Sequence, residues 1–463
     1  DAAAVSPAGE FSAVVADMNA GKVGFVAHLD VNPVYHLPPS LGYAAALAKV
    51  PLTIALVESE NETATACTYM LPIHSMFEAW GDHSVREGVV SLQQPVVAPL
   101  YTTRQKEAVL LRWMSASGPF NESAYRDHVK KYWETAIYPL AGTNADFAAF
   151  WQSSLHDGVI ELAPAPTTRP ALRADVLAGI QVAASAGLAV LVTPAPYIGD
   201  GAFSNNGWLQ ELPHPVSKIV WDNYAAIAPA TAKRLGVKSD DQITVTTANG
   251  NVTLPVFEQP GTAEDLISVS LGYGRTNAGP VGSGVGSDVT PLLSLAALNG
   301  ARVIAASSVT KVEGSYPLAS TQEHHSLDDT FVKDFHLKRH IIQEGTLEQY
   351  RKDPHSLGIE RKEYESISPR VEYTGLKWGM AIDLNKCTGC NACVAGCNVE
   401  NNLPVVGREQ VAKGREMQWI RIDRYYSGTP EEPVASHQPM LCQHCDNAPC
   451  ENVCPVVATN HSP

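Results

Sequence analysis

Along the first sixty residues the apolar positions predict a strand, a helix and a second strand. "GKVGFVAHLD", from Gly21, alternates and then runs apolar as a buried strand does, and "NPVYHLP" behind it carries turn residues. "PSLGYAAALAKV" has helical spacing, and "VPLTIALVES", from Val50, is a second buried apolar run. Strand, helix, strand in this order predicts a parallel sheet in an α/β body.

From Asn206 the pattern changes. "PATAKRLGV" predicts a short helix, with Pro229 opening it and Gly236 stopping it. "DQITVTTANGNVTLPVF" predicts a hairpin: Ile243, Val245 and Thr247 alternate on the way out, Val252, Leu254 and Val256 on the way back, and Asn249-Gly250 predicts a type I′ turn. A small β-barrel domain is expected there. Residues 272–286 hold six glycines, which would suit a phosphate, but they lack the strand and lysine of a P-loop, so a plain loop is expected. Between 321 and 375, 19 of 55 residues are charged, twice the 17% of the whole chain, which predicts a solvated linker with short helices.

Length and charge narrow the picture. The 463 residues suffice for about three domains, each able to bury a core. A formal charge of -15, with no local basic patch, argues against a grip on nucleic acid or anionic lipid. The most apolar stretch, "VLAGIQVAASAGLAVLVTPAPYIG" from Val176, is broken by Gln181, Ser185 and two prolines and does not predict a bilayer span. Membrane association is therefore expected only through a partner. The chain starts at Asp1 without a basic, apolar leader, so a processed form or a fragment is expected.

The cysteines carry the chemistry. Eight of nine lie between Cys387 and Cys454. Cys387, Cys390, Cys393 and Cys397 are spaced x2, x2, x3; Cys442, Cys445, Cys450 and Cys454 are spaced x2, x4, x3 and are followed at once by Pro455. This is a ferredoxin type of spacing. Each iron of an iron–sulfur cube needs one thiolate, and cysteines at i, i+3 and i+6 let a short loop wind round one cube with its amides pointing at the sulfurs. The fourth cysteine of such a run commonly serves another cluster, and a proline after it redirects the chain. Disulfides do not need this tight repeat, and structural zinc usually draws two ligands from each of two separated knuckles. His444, inside a group already complete in cysteine, reads as a residue beside the ligands or on the surface. Cys67, in the apolar "ATACTYMLP", reads as a small buried residue. Lys386, Arg408, Arg415 and Arg421 would offset cluster charge, although solvated surface is the expected place for most of them.

"ETATACTYMLPIHSMFEAWGD", "VVSLQQPVVAPLYTTRQKEAVLLRWM" and "NNGWLQELPHPVSKIVWDNYAAIAPATAKRLGV" resemble the later part of the molybdopterin oxidoreductase superfamily, and the hairpin at 241–257 resembles its double-psi β-barrel. "WGMAIDLNKCTGCNACVAGCNVENNLPVVG" and "PMLCQHCDNAPCENVCPVVATNHSP" resemble the iron–sulfur subunits of polysulfide and dimethyl sulfoxide reductases. Both halves on one chain, in this order, resemble the B subunits of alternative complex III, a family of bacterial membrane-bound quinol oxidoreductases. The resemblance implies a molybdopterin oxidoreductase-like α/β domain over 1–200, a double-psi β-barrel over 201–320, a charged linker over 321–375 and a ferredoxin-like iron–sulfur domain over 376–463.

It also implies function. Enzymes of the superfamily place a cluster and a cysteine, serine or aspartate metal ligand in an earlier region not found in these residues, so the pterin-type domain is expected to be a scaffold without molybdopterin. The alternative is an active molybdopterin reductase of the polysulfide, tetrathionate or dimethyl sulfoxide type, and a further one is a zinc-bound or metal-free assembly scaffold. Related iron–sulfur subunits have four cysteine motifs; this sequence has two. The family pattern assigns Cys387, Cys390 and Cys393 to one [4Fe-4S] cluster and Cys442, Cys445 and Cys450 to another. Cys397 and Cys454 then serve further clusters, one of which in a full-length subunit has room to be [3Fe-4S]. If two motifs are all there is, Cys454 completes the first cluster and Cys397 the second. The implied partners are an integral-membrane quinol-binding subunit and c-type cytochrome subunits, with the chain peripheral on the periplasmic face. No Cys-x-x-Cys-His for covalent haem occurs in the chain itself.

Overall fold

The computed structural model describes residues 6–115, 118–162, 187–300, 302–322, 342–356, 374–445 and 448–459, apart from the side chains of residues 85, 298 and 299. The chain divides into two compact units: Asp1–Ala186 with Arg275–Ser283 and Thr290–Arg302, and Gly187–Gly274 with Gly284–Val289 and Val303–Pro463.

In the first unit β1 (Phe25–Leu29), β2 (Leu52–Val57) and β3 (Tyr69–Pro72) form a parallel sheet in that order, with β2 central. The helix between β1 and β2 is shorter than its apolar spacing predicts. A short helix Pro33–His36 comes first; then Pro39 opens a 3-10 turn, Pro39–Leu41, Gly42 follows it, and of the predicted stretch only Tyr43–Leu47 is α-helical. Val15 and Met18 of the helix Ala8–Asn19 pack with Ala46 and Val50. A second sheet of β4 (Gly81–Arg86), β5 (Val89–Gln93) and β6 (Val159–Glu161) is antiparallel. Val90 and Leu92 of β5 pack with Val129, Trp133, Phe150 and Trp151 of the following helices. Trp133 is fully buried and its indole N–H donates to Asp82 Oδ2 at 3.0 Å, so its polar edge is satisfied.

The glycine-rich loop is fastened in the same unit. Glu62 accepts from Arg275 Nη2 at 2.7 Å, Thr276 N at 2.9 Å and Asn277 N at 3.0 Å, and Arg275 lies 4.9 Å from the Tyr35 ring centroid.

The second unit holds a seven-stranded mixed sheet. Its strands are β7 (Ala189–Thr193), β8 (Ala225–Ile227), β9 (Asp241–Thr246), β10 (Asn251–Glu258), β11 (Leu266–Ser270), β12 (Val303–Ala305) and β13 (Ser308–Ser315), in the order β12-β7-β11-β8-β10-β9-β13. Ile243, Val245, Leu254, Val256, Ile267 and Val269 point into its core, as period-two alternation requires. The helix Pro229–Leu235 has Pro229 in its first turn and ends on Gly236, as its sequence predicts. The hairpin β9–β10 forms, but not with a type I′ turn. Neither Asn249 nor Gly250 has positive φ, which that turn demands at both central positions. A four-residue loop replaces it: Thr247 N donates to Gly250 O at 2.8 Å and Asn249 N to Thr247 Oγ1 at 3.2 Å. The threonine side chain supplies the closure that the turn type would have supplied.

Beyond the sheet, β14 (Ile420–Gly428) and β15 (Pro433–Leu441) pair antiparallel. Val394, on the helix Ala392–Glu400, and Ile422 form an apolar cluster with Leu212. Of the charged stretch 321–375, the helix Leu347–Lys352 is described and buries no residue; residues 323–341 and 357–373 lie outside the described residues. The apolar stretch from Val176 lies outside them as far as 186, and its remainder supplies β7. No described helix is long and apolar enough to cross a membrane.

Candidate metal centre

The first cysteine group is laid out by two left-handed residues and one helix. The Cys387 amide donates to Asp383 O at 3.1 Å, closing a turn. Gly389 (φ 67°) and Asn391 (φ 59°) lie in the left-handed region on either side of Cys390. Glycine and asparagine adopt that region at least cost, and two such residues curl the backbone tightly between Cys387 and Cys393. The helix Ala392–Glu400 then carries Cys393 and Cys397 four residues apart, on one face. The second group starts just past β15: Cys442 and Cys445 precede the helix Pro449–Val453, which carries Cys450, and Cys454 caps that helix.

None of the nine cysteines is in a disulfide; Cys390, Cys393, Cys442, Cys445 and Cys450 are exposed, and Cys387, Cys397 and Cys454 are partly buried. Among the described residues no three or more His, Cys, Asp or Glu side chains converge to hold a single metal ion. Thiolates of an iron–sulfur cube each meet a different iron, so they stand further apart than the ligands of one zinc. The donor environment suits thiolate. The Ala458 amide donates to Cys454 Sγ at 3.2 Å, and backbone donors at Ala458, Val456 and Thr459 bring the Cys454 thiol down to about 7. Asn401 Nδ2 lies 3.5 Å from Cys397 Sγ. On donor type and backbone shape the residues present fit iron–sulfur ligation.

The remaining residues singled out in the sequence take varied places. His444 is exposed and left-handed at φ 47°. Lys386 is solvated beside Asp383, and Arg421 lies against Asp423. Arg415 donates to Gln410 Oε1. Arg408 is not solvated surface: it bonds the buried Asp222 carboxylate and stacks 4.4 Å from the Tyr316 ring centroid. Cys67 is half-buried against Ala55, Val57 and Ala64, with Sγ 3.4 Å from His28 Nδ1, and burial pushes its thiol up.

Sequence reasoning missed the seat beneath the first group. Asn391 is completely buried; its Nδ2 donates to Pro213 O at 2.6 Å and Tyr197 Oη at 3.0 Å. Trp208 Nε1 donates to Leu403 O at 2.8 Å. Glu211, at the end of the helix Gly207–Glu211, accepts from Gly407 N at 2.8 Å, Val406 N at 3.1 Å and Trp221 Nε1 at 3.1 Å. Within this unit the sheet domain thus holds the cysteine module directly. Asn391's place inside the motif was a visible signal; Tyr197 and Glu211 gave none.

Two family models match parts of the chain. The profile described as "Molydopterin dinucleotide binding domain" matches residues 203–301, and that described as "4Fe-4S dicluster domain" matches residues 386–458. The chain is a mixed α/β protein with a molybdopterin-binding-type domain followed by a 4Fe-4S ferredoxin-like domain.

Among curated proteins, the chain is 26% identical over 277 residues to the menaquinone reductase molybdopterin-binding-like subunit of Nitratidesulfovibrio vulgaris, covering 57% of this chain and 38% of that protein. It is 40% identical over 86 residues to the menaquinone reductase iron–sulfur cluster-binding subunit of the same organism, covering 18% and 33%. The Hdr-like menaquinol oxidoreductase iron–sulfur subunit 1 of Archaeoglobus fulgidus is 32% identical over 102 residues, covering 19% of this chain and 36% of that protein. The chain therefore spans about a third of the length of these relatives.

Proposed function

We propose that this chain is an iron–sulfur electron-transfer subunit of a membrane-associated quinol oxidoreductase of the alternative complex III type, with its pterin-type domain a scaffold that carries no cofactor. One observation carries the reading: a single chain is similar, in succession, to the molybdopterin-binding-like and the iron–sulfur subunits of one menaquinone reductase. The eight cysteines are assigned as the ligands, Cys387, Cys390 and Cys393 to one cluster and Cys442, Cys445 and Cys450 to another, with Cys397 and Cys454 each bridging to a different cluster. When bound, such clusters are one-electron carriers, with potentials set by hydrogen bonds, burial and charge. The chain's own residues orient the thiolates and supply those hydrogen bonds.

In the second unit the glycine-rich loop serves close packing, since a Cβ on Gly274 would run into the Asp288 amide. We assign the chain to the periplasmic face of the membrane, between an integral quinol-binding subunit and c-type cytochrome subunits.

Metal and acid-labile sulfide analysis of the intact complex, with electron paramagnetic resonance, tests this reading. Iron and sulfide in near-equal amounts with molybdenum at background are expected, together with visible absorption bleached by dithionite. Stoichiometric molybdenum would favour an active molybdopterin reductase. Colourless, zinc-rich protein without sulfide would leave only an assembly scaffold.

A further inference from the structure

The polar seat beneath the first cysteine group is more specific than a docking surface needs. The Pro213 carbonyl only accepts, which fixes the Asn391 side chain with Nδ2 toward it. That same Nδ2 lies 3.0 Å from Tyr197 Oη, so the tyrosine oxygen accepts there and its own proton is free to donate. Two acceptors stand within reach of it, Pro213 O at 3.0 Å and Cys390 O at 3.3 Å. Asn391 Oδ1 is buried without a hydrogen-bond partner, while its Nδ2 is held from outside its own loop by Pro213 and Tyr197.

The consequence follows from peptide geometry. A trans peptide points its C=O and N–H in opposite directions. A hydroxyl that holds the Cys390 carbonyl toward the sheet domain therefore aims the Asn391 N–H away from it. Gly389, on the other side of Cys390, packs against the His437 ring, where a Cβ would lie 2.5 Å from it.

We infer that Tyr197 and Asn391 are a positioning pair for the first cluster: the pterin-type domain uses them to set the backbone donors that the Cys387–Cys393 loop presents to cluster sulfur, and so to set that cluster's potential. The inference rests on the iron–sulfur reading above. It gives the domain a redox role beyond holding its neighbour in place.

The test uses the intact complex carrying Tyr197→Phe, and separately Asn391→Gly, which keeps the left-handed backbone and removes the amide. Redox titration followed by electron paramagnetic resonance reads each cluster. Iron and sulfide content equal to wild type are expected in both variants, with one cluster's signal altered and its reduced-to-oxidised ratio at fixed potential changed at least threefold, the others unmoved. Trp208→Phe removes a hydrogen bond of the same seat, to Leu403 O, away from the cysteine loop, and should leave every cluster signal where it was. Spectra and titrations of Y197F and N391G that superimpose on wild type overturn the inference, as does an equal shift in W208F. Wild-type protein without iron and sulfide overturns the functional reading itself, a separate outcome.

Discussion

Glu211 is the most demanding test of how the cysteine module is seated. Its carboxylate is 7% exposed and receives the Val406 and Gly407 amides and the Trp221 indole N–H. In Glu211→Ala these three donors lose their acceptor. Each costs about 1–3 kcal/mol if it stays dry, but a cavity of carboxylate size in a polar site admits water. The lower end applies, about 3 kcal/mol in all. Glu211→Gln keeps one oxygen for two of the donors and loses the charge assistance, a loss of about 1–2 kcal/mol. The effect should be local, because what opens is the chain around Leu403–Gly407 rather than the whole unit. Hydrogen exchange of the Val406 and Gly407 amides reads it: 3 kcal/mol corresponds to roughly 150-fold faster exchange in E211A, with E211Q between that and wild type. Exchange in E211A within threefold of wild type would refute the argument.

Three further outcomes follow from the same geometry. Burial alone would raise the Glu62 carboxyl, but its donors, led by Arg275, hold it at about 2, below its unfolded value near 4.5. Its stabilising contribution, about 3 kcal/mol, is complete above pH 4.5 and fades as pH falls toward 2. Glu62→Gln should destabilise the helix Glu62–Ala66 by about 3–5 kcal/mol at pH 7, a difference that shrinks in hydrogen exchange measured toward pH 2.5; a pH-independent difference would count against the pair. Trp133→Ala should cost about 3–5 kcal/mol in denaturant unfolding of the first unit, and Trp133→Phe less, through the smaller cavity and the lost Asp82 hydrogen bond. Gly389→Ala forces a Cβ into the His437 ring at φ 67°, so iron bound by the complex should fall by the content of one cluster, as measured by metal analysis; undiminished iron would show that the loop can give way.

How much of this was legible in the sequence depended on how local each cause is. The β2 run, the β9–β10 alternation and the Pro229–Gly236 helix are written within a dozen residues each and appear as read, whereas β1 forms not as the buried strand its apolar run predicts but as an edge strand with Phe25 and Leu29 exposed. The cysteine groups are equally local, because ligand spacing is a property of one short loop. The helix ahead of β2 was overestimated because periodicity ignores the cost of Pro39 and Gly42 at its start. The turn at Asn249-Gly250 was misassigned because the Thr247 side chain offered a competing closure. The seat was invisible: Tyr197 and Asn391 are 194 residues apart and Glu211 and Gly407 are 196 apart. Neither partner carries a mark that predicts the other.

The kind of contact in that seat gives the pterin-type domain a structural task toward the cysteine module that needs no cofactor. Pro213 O meets a side chain between two cysteines; Trp208, Glu211 and Gln322 meet backbone atoms of Leu403, Val406, Gly407 and Arg424; Gly261 N meets Pro430 O. Contacts to main chain are indifferent to most side-chain changes in the module but fix its register, since sliding the chain by one residue breaks all of them together. An apolar interface of equal strength would tolerate small shifts, because hydrophobic contact is non-directional. An electron carrier must keep its cysteine loop at fixed places and within fixed hydrogen-bond surroundings, and a register-locking polar seat provides both without any cofactor in the domain that supplies it.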